Sequence, residues 1–317
     1  MGARGRDYGL VILSAVLWGT SFPGGKLVLG AVDPLFLSFA RLGLGAVVGF
    51  VVLALLRRLD FRVLRNPYVW GLGVVNALAF DLQNMGMDAT TATKTALLVN
   101  VNVVFIAALM VLVYRERVTW QKVVGIGIGL VGVVLLATRL DPRSLGGGEF
   151  VGDLLVFAAG IAWSFYVVGT KAMVDRGGDY IALVAGIFAT TSVAASVPLF
   201  FTGWPLPATT DAWIGILYLG IVPTFPPMLL YAYSMRTISP TISALLILLE
   251  VIVAGLLSAA FLQDAISGFT LVGGGLILFG AYVVARGERE IPEPGAGGLA
   301  PVPRDTRVAG LNGPESK

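Results

Sequence analysis

The sequence predicts an all-α integral membrane protein in which ten transmembrane helices form two inverted five-helix repeats. Three observations carry that prediction. Of 317 residues, 56% are hydrophobic and 13% charged, against roughly 45–50% and about 25% in soluble domains. Stretches near the about 20 apolar residues that cross a bilayer recur ten times, near 8–29, 35–56, 69–87, 95–114, 121–137, 153–174, 180–202, 211–233, 241–262 and 268–285. Motifs of the first five stretches return in the second five. The absence of Cys and His removes disulfides, thiol chemistry, the commonest zinc ligand and the neutral-pH proton shuttle. No metal or other cofactor is expected.

The first stretch is a full span and not a cleavable signal peptide, because it is long and carries Trp18, Pro23 and Lys26. A stack of soluble helices would need far more charged surface, and an outer-membrane barrel would alternate in short segments. Placing the N-terminus in the cytoplasm puts thirteen Lys and Arg in cytoplasmic connections and three, Lys94, Arg139 and Arg143, outside. That matches the positive-inside rule, so both termini are expected in the cytoplasm and the protein in the inner or plasma membrane. The Arg57–Arg65 cluster is then a cytoplasmic loop against membrane lipid, and no nucleic-acid partner is expected. Residues 287–317, rich in Pro, Gly and charge, read as a disordered cytoplasmic tail.

The repeat is visible residue by residue. Trp18 and Lys26 recur as Trp163 and Lys171, 145 positions on. Tyr114-Arg115-Glu116 aligns with Leu262-Gln263-Asp264 at 148, as do Gly125 with Gly273 and Gly132 with Gly280. Residues 1–145 and 146–286 thus form two units joined at Gly146-Gly147-Gly148. Five spans per unit insert the second upside down, a plan of transporters whose site lies near the midplane. The duplicated Trp-x7-Lys, the Arg115-Glu116 pair and the ladder Gly125, Gly127, Gly129, Gly132 resemble the EamA branch of the drug/metabolite transporter superfamily. The resemblance covers about residues 8–286. It implies a ten-helix inverted-repeat exporter of amino acids, other metabolites or toxic compounds through a central cavity. Gln263-Asp264 departs from the Arg-Glu form, which puts a role carried over from Glu116 in doubt there.

Candidate site residues follow from the cost of polar groups in lipid. Trp18, Phe22 and Lys26 step by four along one face; Trp163, Tyr166, Thr170 and Lys171 do similarly. The aromatic residues read as cavity walls or as packing, the lysines as gating groups or as snorkelling side chains. Asn76, Phe80, Gln83 and Asn84 share a face, with Asp81 rotated by about 60–100° from most of them. Asp81 is a substrate counter-charge, a proton site, or the structural partner of Lys94 or Lys26. Asn102 and Glu250 occupy matching places in the two halves, with Ser243 on the face of Glu250; Asn100 points elsewhere, toward a neighbouring group. A carboxylate among Leu248, Leu249, Val251 and Ile252 must pair, protonate or face water. Pro223, Pro226 and Pro227 break the eighth span, as a fixed kink or a hinge.

These features predict a secondary transporter exporting a small, partly apolar molecule such as an amino acid by alternating access. Trp18, Phe80, Trp163 and Tyr166 would enclose the apolar part, and Asn76, Asp81, Asn84, Asn102, Ser243 and Glu250 would handle polar groups. Coupling to protons and oligomeric state stay open. With no nucleotide motif the chain alone cannot spend ATP, and without His or Cys it is not expected to be an enzyme; a membrane-embedded enzyme or scaffold is the rival reading.

Overall fold

The computed structural model describes residues 3–114, 119–138, 148–238, 240–264 and 267–289. Arg115, Glu116, Arg117, Arg139, Arg143, Gly146, Gly147 and the tail from 290 lie outside the described residues. Among the described residues the regular structure is helical, with no strand, and includes a 3-10 turn at Phe61–Arg65. The helices are α1 (Ala3–Leu29), α2 (Pro34–Leu55), α3 (Pro67–Ala89), α4 (Ala92–Val99), α5 (Asn102–Tyr114), α6 (Trp120–Thr138) and α7 (Gly148–Asp175). They continue with α8 (Tyr180–Ser196), α9 (Leu199–Thr202), α10 (Thr210–Ile221), α11 (Phe225–Ser234), α12 (Pro240–Ile247), α13 (Leu249–Phe261) and α14 (Gly268–Arg289). Each predicted apolar stretch falls on helix.

Among the described residues, six stretches are long and apolar enough to cross a membrane: Arg6–Leu29, Pro34–Leu55, Ala92–Tyr114, Gly148–Asp175, Tyr180–Thr202 and Thr210–Ser234. Three shorter apolar helices, Val123–Leu135, Leu249–Phe261 and Gly268–Gly280, accompany them. The periphery is apolar, with Leu55, Leu112, Phe201 and Phe261 exposed, as expected of a surface solvated by lipid tails. The protein is a multi-pass membrane protein.

Local chemistry sets the helix starts. Asp33 accepts from the amides of Leu35 and Phe36 ahead of Pro34, and Asn66 accepts from Tyr68 ahead of Pro67. Asp179 accepts from Ile181 and Ala182 at the head of α8. These side chains answer amides that have no partner inside the helix, and proline in the first turn has no donor to lose. The same rule explains Pro226 and Pro227, which sit in the first turn of α11. The interruption itself is the short segment between Ile221 and Phe225.

Two further interruptions contain neither Pro nor Gly. α4 stops at Val99 and α5 begins at Asn102, with the amide of Val101 reaching back three residues to Leu98. α12 stops at Ile247 and α13 begins at Leu249, with the amide of Val251 bonded to Leu248. The two lie at matching places, 148 residues apart.

Backbones approach most closely where α6 meets α14. A Cβ on Gly132 would lie 2.6 Å from the Gly273 carbonyl oxygen, and one on Gly280 would lie 2.5 Å from that of Gly125. Buried ionic and polar ties hold the ends of the bundle. At one end Asp153 accepts from Lys94 Nζ (2.5 Å) and Thr90 Oγ1 (2.8 Å), and Lys94 also reaches Glu149 at 3.0 Å. Asp264 accepts there from the amide and hydroxyl of Thr93. At the other end Asp7, also buried, accepts from Thr237 Oγ1 at 2.5 Å.

Gly132→Ala and Gly280→Ala are each expected to cost about 1–3 kcal/mol, since backbone cannot yield to the added methyl. Gly127→Ala, with nothing within 4 Å, should change little; thermal unfolding of the detergent-solubilised protein compares the three. Asp153→Ala leaves the Lys94 ammonium with the half-exposed Glu149. It should cost about 3–5 kcal/mol in the same measurement, the loss typical of a broken buried pair.

Candidate functional site

A central cavity lies where α1, α2, α3, α7 and the interrupted helices meet. α1 contributes Trp18, Ser21 and Phe22, and α7 contributes Trp163, Tyr166 and Val167. Both tryptophans are half-buried. Their rings meet others edge-on: Trp18 with Tyr231 at 5.4 Å between centroids, and Trp163 with Phe80 at 4.9 Å and Tyr166 at 5.3 Å. Trp163 Nε1 donates to Gln83 Oε1 at 3.3 Å, which sets the indole's orientation. The buried hydroxyls of Tyr166 and Thr170 have no hydrogen-bond partner of good geometry among the described residues.

The interruptions deliver the polar lining. Asn102 opens α5 and Glu250 lies in the first turn of α13, and both line the cavity. Glu250 is 6% exposed, and its Oε1 accepts from Asn100 Nδ2 at 2.6 Å. Asn100, expected to serve a neighbouring group elsewhere, is therefore the partner of the cavity carboxylate itself. Ser164 donates to the Asn102 carbonyl at 3.2 Å, tying α7 to the head of α5.

Of the candidate residues, the fold brings Trp18, Phe80, Asn102, Trp163, Tyr166 and Glu250 together around the cavity. Asn76, Asp81, Asn84 and Ser243 do not line it. Asn76 is buried and donates to Thr191 Oγ1 at 3.0 Å, and Asn84 donates to Ser38 Oγ at 2.9 Å. Asp81 lies beside Ser38, with one oxygen lacking a hydrogen-bond partner. Ser243 is buried with an unpartnered hydroxyl. Neither lysine weighed as a partner of Asp81 takes that role. Lys94 pairs with Asp153 and Glu149, while Lys26 donates to the carbonyls of Met87 and Asp88 at 2.8 Å each. Lys171 forms an ion pair with Asp175, one turn along α7.

Arg41 is the lining residue that sequence reasoning missed. It is 2% exposed, with Nε donating to Thr224 Oγ1 at 2.8 Å and Nη2 to the Pro223 carbonyl at 3.1 Å. Its guanidinium lies over the Phe80 ring at 4.9 Å. It thus answers a carbonyl freed by the interruption between α10 and α11. The signal was available: an arginine mid-span, Phe39-Ala40-Arg41-Leu42-Gly43, belongs to no loop and must be paid for inside.

A chain with these features can be set beside known proteins. A Chlamydia muridarum protein named an S-adenosylmethionine/S-adenosylhomocysteine transporter is 29% identical over 45% of this chain and 44% of its own. A Streptantibioticus cattleyicolor protein named a probable terminal-alkyne amino-acid exporter is 24% identical over 87% of this chain and 92% of its own. A solved crystal structure superposes with a TM-score of 0.68 at 20% identity, covering 90% of this chain and 99% of that one, a likeness of fold alone. The model of the EamA-like transporter family matches residues 7–138 and 150–286, nearly all of the helical chain, and the protein belongs to that family.

Proposed function

We propose that the protein is a secondary transporter that exports small metabolites, amino acids foremost, across the inner or plasma membrane by alternating access through the central cavity. The observation that carries this reading is the convergence of matching helix interruptions, after Val99 and after Ile247, on one aromatic-walled cavity with Asn102 and Glu250 beside them. Interrupted helices meeting near the midplane are how transporters of this kind expose polar backbone and side chains to a cargo. The amino-acid exporter among the relatives favours that cargo class. Toxic compounds or another metabolite class are the alternative.

Counting each interrupted pair as one crossing makes ten crossings, in two units of five with opposite orientation. The packing supports that count. α3 lies on α7 as α11 lies on α1; α5 lies on α7 as α13 lies on α1; α2 faces α8 and α6 faces α14. The reciprocal glycine approaches, Gly132 to Gly273 and Gly280 to Gly125, have the same exchange symmetry. So do the end ties, Asp153 with Thr90 and Asp7 with Thr237. One tie would open while the other holds, with Lys26 and Lys171 at the helix ends and Pro223, Pro226 and Pro227 as the hinge of the eighth crossing. Both termini face the cytoplasm in this arrangement, in keeping with the Lys and Arg distribution. If transport is proton-coupled, Glu250 and Asp81 are the carboxylates to carry the proton.

In proteoliposomes, saturable counterflow of labelled amino acids is expected; chemical turnover without flux would overturn the transporter reading. Trp163→Ala should raise the half-saturation concentration about tenfold, the loss of stacked aromatic contacts, while Trp163→Phe retains most affinity. Because the chain lacks cysteine, single replacements report topology cleanly. An impermeant maleimide should label Ala208→Cys in intact cells and Leu59→Cys only after lysis.

A further inference from the structure

We propose that Arg41 and Glu250 form the two poles of a zwitterion site, Arg41 taking the carboxylate of the cargo and Glu250, with Asn100 behind it, taking the ammonium. The inference rests on the transporter reading above and names the recognition chemistry of the same cavity. Two opposite charges line that cavity, and both are nearly removed from solvent. Among the described residues no carboxylate lies within 4 Å of the Arg41 guanidinium, and no Lys or Arg lies within 4 Å of Glu250; every ion pair found involves other groups. Buried charges left without a counter-charge are costly. A purely structural pair would close on itself. Here the fold holds the two apart on the wall of one cavity, so a molecule carrying both charges completes both.

The local geometry favours this assignment of poles. Arg41 spends two of its five N–H groups on Thr224 and Pro223, which fixes the plane of the guanidinium and leaves N–H groups for a planar oxyanion. Phe80 stacked against it excludes water from one face. Glu250 lies in the first turn of α13, and one oxygen is anchored by Asn100. An anchored carboxylate suits a small ammonium donor. Trp18, Trp163 and Tyr231 wall the same space and would hold an apolar side chain carried with the two charges.

The test uses full-length protein in proteoliposomes with labelled L-phenylalanine, L-leucine and L-methionine, and the amide and the deaminated acid of whichever carries flux as competitors. Wild type should be inhibited by the amide and by the deaminated acid at least tenfold more weakly than by the parent amino acid. Arg41→Gln should erase the preference for acid over amide, Arg41→Lys should keep part of it, and Glu250→Gln should erase the preference over the deaminated acid. Arg41 also braces the α10–α11 interruption, so a merely structural role would lower flux of all compounds alike, and that result overturns the inference. The wild-type competition needs no variant: saturable amino-acid flux with the amide competing as well as the acid overturns the inference while the transporter reading stands. No saturable flux of any of the three overturns the amino-acid reading and the inference together.

Discussion

The bilayer interior offers no water to a freed carbonyl, so a helix can be interrupted there only where another helix supplies a donor. The structure obeys this at the interruption between α10 and α11. Arg41 from α2 donates to the Pro223 carbonyl and to the Thr224 hydroxyl, and that hydroxyl donates onward to the Leu219 carbonyl at 2.6 Å. Beside the interruptions, Ser14 from α1 donates to the Pro227 carbonyl in the first turn of α11 at 2.9 Å, and Ser164 from α7 to that of Asn102 at the head of α5. Helices α1, α2 and α7 are thereby pinned around the places where other helices are broken. The cavity is what remains between them.

The same constraint divides the labour among the buried polar groups. Asn76 and Asn84 give an amide donor across interfaces, to Thr191 and to Ser38. Those at the interruptions, Asn102 and Glu250, line the cavity. Glycine does the opposite work where α6 meets α14. There the backbones come close enough that a methyl group would collide with a carbonyl, and neither helix adds a described residue to the cavity lining.

Much of this was legible in the sequence. The apolar stretches fall on helices, the proline cluster marks an interruption, and the two repeated tryptophans share one cavity with Asn102 and Glu250. The interruptions after Val99 and after Ile247 were not legible, since no Pro or Gly stands there to announce them. Tertiary bonds from Ser164 and between Asn100 and Glu250 meet at these turns. Arg41 escaped notice because it fell in neither the loops scored for charge asymmetry nor a row of polar residues at helical spacing. Asn100 was set aside on helical phase, yet the interruption beside it changes that phase and turns it toward Glu250.

Sequence alone determined the class of the molecule, the position of its spans and the short roster of residues too costly to face lipid, because each of these depends on transfer free energies that belong to residue types. It also shows motifs that recur at near-constant spacing, such as Trp18 and Lys26 with Trp163 and Lys171. Only the tertiary structure decided which polar residues share a cavity and which are spent on packing. Helical periodicity says which side chains lie on a common face, as it did for Asn76, Phe80, Gln83 and Asn84. It does not say which helix meets that face, and here Phe80 and Gln83 reach the cavity while the two asparagines bond to α8 and α2.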